Sequence, residues 1–390
     1  MTRNNLHKKS IIIIIGFFCF IGYARAQTIE AIRGLWQQNS LAHARQAVDS
    51  FLLQHRTSAE GWLLKAMICN SIARSPEYQY LLADARMEAW QSLQQAEKLG
   101  PAYVEAQLKP TDYAMPNDLY YGYTNEALTY YNAATESNDR NQYSEALQRF
   151  KKAGLVSAYI YGKGWGMNMP DTSNIYYTAK AAISAGKEED ALIYSKKIAD
   201  AGVYKTSVAN DVETIYHWLV YYYKQKQEGA AFFKYVEQGR QHFTNDVYFT
   251  LVTLDWYRKQ KDYPKLLATY QTQPSKQYQW QYLQDVYNYL YTSGQTVPNR
   301  AALQKQLLGG LLDYLLLQSL GTNNNAAEAR LLIAKVYINQ ARDNKTSRRK
   351  LLQLSNSHLQ KLISDYSKTN SNTYKEALKL LARNNRVLKG

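Results

Sequence analysis

The sequence predicts an all-α fold built as an α-solenoid, a row of antiparallel helix pairs packed side by side. Helix breakers are scarce, with 8 prolines and 19 glycines in 390 residues. At the same time 46% apolar and 13% aromatic residues exclude a disordered chain. Small residues recur 12 positions apart, Ala134 with Ala146 and Ala179 with Ala191, as they do where two short helices of one pair cross closely.

The chain opens with a basic stretch (Arg3, Lys8, Lys9), an apolar run of 13 residues from Ile11 to Tyr23, and Ala24-Arg25-Ala26. This order matches a secretory signal peptide with an A-x-A cleavage site. The run is shorter than the ~20 residues a spanning helix needs, so cleavage before Gln27 is expected rather than anchorage. Export to the periplasm or beyond follows, with no transmembrane segment in the mature chain. Cys19 leaves with the peptide, Cys69 becomes the sole thiol, and Gln27 stands where a lipid-anchored protein would carry cysteine. The organisation expected is residues 1–26 signal peptide, 27–160 N-terminal helical repeats, 161–275 central repeats and 276–390 a basic C-terminal helical segment.

Along the mature chain, LAHARQAVDSFLLQHRTSAEG forms a degenerate pair that caps the stack. The next pair has Trp62, Ala66 and Cys69 on its first helix and Ala89, Leu93 and Ala96 on its second, with an insertion around Ser75 to Leu82 between them. Residues 131–154 carry Ala134 and Ala146, with Tyr143 and Phe150 on the second helix. Residues 176–202 carry Ala179 and Ala191 around a turn at Gly186. Two further pairs place Leu219, Tyr222, Ala231 and Tyr235, then Leu254, Tyr257, Leu266 and Tyr270, at the same offsets. The stretches 109–118, 162–171 and 271–277, rich in Pro or Gly, punctuate these runs. Beyond them the chain predicts long helices, and LLDYLLLQSL, flanked by Gly310 and Gly321, predicts a buried one.

These slots resemble the tetratricopeptide repeat (TPR) superfamily, whose units follow W-x2-L-G-x2-Y, then Ala-x3-Phe, then Pro. The likeness extends to exported TPR proteins of Gram-negative bacteria and covers roughly residues 40 to 275. The slots at 146, 191, 231 and 266 are irregularly spaced, and most units lack the closing proline. The resemblance implies a right-handed TPR-like superhelix and protein binding without catalysis. It also implies a partner groove lined by the first helix of each pair. In that register Tyr131, Tyr176 and Tyr216 form a column of one residue type, joined by Lys180, Tyr223 and Arg258. Tyrosine offers a large ring at low rotamer cost together with a hydroxyl, which suits an extended peptide or a sugar chain.

Sites for chemistry are wanting. Five mature histidines lie far apart, with no H-E-x-x-H or paired-cysteine spacing, so no metal and no cofactor is expected. GKGWG at 162–166 lacks the Gly-Lys-Ser/Thr ending of a phosphate loop and is expected to be a turn, with Asp171 capping the helix that follows. Toroidal glycan hydrolases, similar in size and rich in aromatics, need two carboxylates opposed across a cleft. Glu188, Glu189 and Asp190 instead cluster where a helix starts, which the helix dipole explains. A glycan-binding accessory protein of an outer-membrane uptake system is the second alternative; such proteins are lipidated as a rule, and the cysteine this requires is missing.

Charge is uneven. The whole chain carries +15, and residues 320 to 390 hold 14 Lys and Arg against four acids, Glu328, Asp343, Asp365 and Glu376. An anionic envelope surface is therefore expected at the C-terminal segment and no nucleic acid, beside the protein or peptide partner that the resemblance implies in the groove.

Overall fold

The computed structural model describes residues 28–166, 171–206, 209–272, 276–318, 325–366 and 371–389. The expected signal peptide and its cleavage point lie outside the described residues, as do 167–170 and 273–275 of the punctuating stretches 162–171 and 271–277. Among the described residues there are eighteen α-helices, three short 3-10 turns and no strand. They fall into two compact units, divided after His242.

The first unit runs through α1 (Ile29–Gln37), α2 (Leu41–Gln54), α3 (Ala59–Arg74), α4 (Ala85–Leu99), α5 (Pro101–Leu108), α6 (Ala114–Ser137) and α7 (Arg140–Lys163). It ends with α8 (Thr172–Ala185), α9 (Glu188–Asp200), α10 (Glu213–Lys226) and α11 (Gly229–His242). Consecutive helices pack in pairs, α3 on α4, α6 on α7, α8 on α9 and α10 on α11. The first helices of neighbouring pairs also touch, α3 on α6 and α8 on α10. This is the expected all-α, TPR-like stack of antiparallel pairs.

Local chemistry sets the helix ends. Thr28, Ser58, Asp84, Asp139 and Asp171 each accept a hydrogen bond from an amide of the first turn they cap. Gly164 and Gly186 close α7 and α8 at φ +71° and +69°, a conformation glycine adopts without steric cost. The pairs approach closely because alanine lies between them. Ala127, Ala146, Ala181, Ala182 and Ala191 share one core cluster with Leu147 and Phe150, and Ala134 and Ala179 are fully buried as well. The preceding pair is centred on Ala66, Cys69, Ala89, Leu93 and Ala96. Burial pushes the Cys69 thiol up to about 11, which leaves it an inert packing group.

The second unit contains α12 (Tyr248–Lys259), α13 (Tyr263–Thr272), α14 (Gln279–Tyr291), α15 (Arg300–Gln318), α16 (Asn325–Asp343), α17 (Arg348–Tyr366) and α18 (Asn372–Lys389). The same neighbour packing recurs, and α18 closes the row against α17 and α16.

Two local expectations are corrected. The two-proline stretch 109–118 is not a break throughout, because Pro116 sits in the first turn of α6, where its missing N–H has no intrahelical partner to lose. Nor is LLDYLLLQSL buried as a whole. In α15 Leu311, Tyr314 and Leu315 face the core, while Leu312, Leu316 and Leu317 are exposed, Leu316 by 69%. One helix side packs on its neighbours and the other is exposed.

The buried alanines give a direct test of the pairing. Ala146→Leu is expected to lower stability by about 1–3 kcal/mol through overpacking. Urea unfolding of the variant at the parent's midpoint would show that Ala146 is not at a tight crossing.

Candidate functional site

The first-helix face of the N-terminal unit begins with tyrosines and the carboxylates that receive them. Tyr120 of α6 donates to Asp171 at the start of α8, and Tyr123 of α6 donates to Asp84 at the start of α4. Tyr176 of α8 donates to Asp211, just before α10, at 2.5 Å, and Lys180 reaches the same carboxylate at 3.2 Å. Burial alone would raise the pKa of Asp211, but the Tyr176 hydroxyl and the Lys180 charge outweigh it and hold the carboxyl below the usual range. Asp84 is likewise held low against its burial, by Lys152, the Met87 amide and the Tyr123 hydroxyl.

The six groove residues expected from the sequence therefore divide. Tyr216 is fully buried, with its hydroxyl on the Val203 carbonyl, and Tyr176 is 3% exposed. Tyr223 is also core, stacked on Tyr235. These three rings pack between helices and do not form an open column. Lys180 is engaged with Asp211 and Thr214. Arg258, in the second unit, forms a bidentate pair with Asp285, which is itself buried and also accepts from Tyr270. Only Tyr131 stands at the surface among the three, half-buried in edge-to-face contact with Tyr143 and Tyr177, its hydroxyl pushed up to about 12 by burial.

The accessible aromatics lie one or two positions along. Tyr177 follows Tyr176 and is half-buried, stacked on Phe150. Trp218 follows Tyr216 by two residues and stacks on Tyr222 at 5.4 Å, while Tyr221 is 55% exposed. Trp218, Tyr221 and Tyr222 of α10 face Ala182, Ile183 and the Gly186 turn of α8 across a notch of about 150 Å³. Lys226 lies over the Tyr222 ring and pairs with Glu188 at the rim, 2.9 Å away. A wider notch of about 380 Å³ occupies the equivalent place in the second unit, between α12 and α14. It has exposed Val247 and Leu251 on one side and Gln277, Tyr278 and Gln281 on the other.

Both notches are largely apolar clefts, the first rimmed by the Lys226–Glu188 pair and the second by Arg258, which is held by Asp285, an arrangement that can hold a side chain but places no nucleophile beside a base. Among the described residues no three His, Cys, Asp or Glu side chains gather as a metal site, and no helix is long and apolar enough to cross a membrane. Two of the three acids at the start of α9 are engaged, Asp190 by Lys151 and Glu188 by Lys226.

No protein-family model and no curated protein matches the chain. Among solved structures, the crystal structure of the APC/C hetero-tetramer Cut9-Hcn1 is similar over 89% of this chain at 16% identity, with a TM-score of 0.27. This chain spans 59% of the length of that one. A likeness so distant leaves the fold to rest on the helix packing itself.

The low carboxyl pKa values fix a pH dependence. A depressed folded value means that Asp84 and Asp211 stabilise fully above the unfolded aspartate value of about 3.9 and lose this contribution as pH falls through their folded values. The D84N/D211N variant should be less stable than the parent near pH 7 and should lose less stability between there and about pH 3. Parallel pH profiles for the two proteins would sink this assignment.

Proposed function

We propose that this chain is a non-catalytic, exported scaffold that binds an extended segment of a protein partner along the first helices of its N-terminal unit. The notch between α8 and α10 takes an apolar side chain of that segment. The observation that carries the proposal is the exposed ring of Tyr221 beside the half-buried Trp218. Folding alone gives no reason to keep a ring 55% exposed in the middle of a first helix beside an open cleft. Rigid aromatic rings at the rim of a preformed pocket are the usual anchors of recognition, because they bury area at little entropic cost. Tyr131 and Tyr177 extend the aromatic surface onto the preceding pair, and Lys180 and Lys226 add cations beside it.

Export rests on the N-terminal composition, and absence of catalysis on the pairing of the acids around the notch. Glycan binding by the same stacked rings is the second reading, favoured by the Trp218–Tyr222 stack.

Selection from a displayed peptide library is expected to yield sequences with a recurring apolar or aromatic anchor. Trp218→Ala and Tyr221→Ala should each weaken those peptides by about tenfold or more while helicity is retained. Peptides that bind both variants as well as the parent would remove the notch from the proposal, and binding confined to a glycan array would replace peptide with sugar.

A further inference from the structure

Two basic runs of the C-terminal segment, 345–350 and 383–389, meet at one end of the second unit. The antiparallel packing of α17 and α18 brings them together through a buried polar contact: Asn384 donates to Ser355 at 3.2 Å and to Asn356 at 3.0 Å, and Asn356 donates to Asn385 at 2.8 Å. Leu388 then packs with Leu351 and Leu352, so the last turn of α18 lies beside the first turn of α17. Lys345, Arg348, Arg349, Lys350, Arg386 and Lys389 are all exposed at this end.

Among the described residues no acid is paired with them. Asp343 is paired with Arg300, Glu376 with Lys335 and Asp365 with Lys361. The first turn of α17 contains no acid, and Arg348, Arg349 and Lys350 open it. A helix start already bears about half a positive charge, so three cations there disfavour the helix rather than stabilise it. Helix stability does not explain their presence.

We infer that this end of the second unit docks on an anionic phospholipid bilayer. Along α18 the cations Lys375, Lys379, Arg383 and Arg386 follow in steps of three and four and so share one helix side. Leu378 and Val387, on the same helix, are exposed among them. Basic residues interleaved with apolar ones suit the headgroup layer, where the charges meet phosphates and the apolar side chains reach the acyl boundary. A single-stranded nucleic acid would instead need stacked aromatic platforms, which this row of side chains does not supply. Long, unbraced cations fit a fluid layer of charge better than the fixed carboxylates of an acidic protein. The inference stands independently of the notch in the first unit.

The test is co-sedimentation of the full chain with phosphatidylcholine vesicles, with and without phosphatidylglycerol. Binding is expected only when phosphatidylglycerol is present, and it should fall steeply with added salt because exposed charges are screened over about 8–10 Å. The variant R348Q/R349Q/K350Q/R386Q/K389Q should lose affinity at least about tenfold, with a melting temperature equal to or above the parent's. Equal binding to neutral vesicles, salt-insensitive binding, undiminished binding by a folded variant, or retention on heparin without any vesicle binding would each overturn the inference. The salt titration uses the unaltered chain and holds even if the variant fails to fold.

Discussion

A buried tyrosine carries its hydroxyl to a place where water cannot follow, and that hydroxyl must find an acceptor. Here the acceptor is repeatedly an aspartate of another helix. Asp84, Asp171 and Asp211 each stand before a helix and receive a tyrosine from a different helix, and Asp84 and Asp171 cap an amide of their own helix as well. Asp200 at the end of α9 takes Tyr235 and Lys234 of α11. In the second unit Asp285 gathers Tyr270 and Arg258. One carboxylate thus fixes a neighbouring helix by a directional bond, which apolar packing alone cannot do. The abundance of tyrosine and the stacking of pairs are one constraint seen from two sides.

The accessible surface follows from what those bonds consume. Tyr176 and Tyr216 turn inward to satisfy their hydroxyls, so the α8 and α10 faces left beside them carry Tyr177, Trp218 and Tyr221. Lys180 is held by the same aspartate as Tyr176 and lies over its ring, which fixes a cation at the edge of the aromatic surface. The notch is therefore what remains open where two first helices are spaced by alanine and glycine, with Ala182, Ala191 and Gly186 leaving its floor unfilled.

Much of this was legible in the sequence. Alanines 12 residues apart marked the crossings, Gly186 marked a turn, and Asp171 marked a helix start; each depends on local chemistry that a few residues determine. The facing of individual rings was not legible. In a helix one residue is a rotation of about 100°, and the doublets Tyr176–Tyr177 and Tyr222–Tyr223 offer the same side chain on both sides of the core boundary. For Tyr176 what decides is Asp211, 35 residues away, and for Tyr223 it is the ring of Tyr235 on the next helix. For the same reason the meeting of the basic runs at 345–350 and 383–389 could not be read from their spacing, since it is set by the Asn384 contact with Ser355 and Asn356.

Within each unit the helices pack chiefly on those next to them in the chain. A chain wired in this way closes its core progressively as it emerges during synthesis, since no early helix waits for a distant partner. Damage is contained by the same wiring: a pair that opens disturbs the pair on either side and leaves the remainder of its unit folded. Such a chain can lengthen or shorten by whole pairs over generations and still present a sound surface at every remaining step.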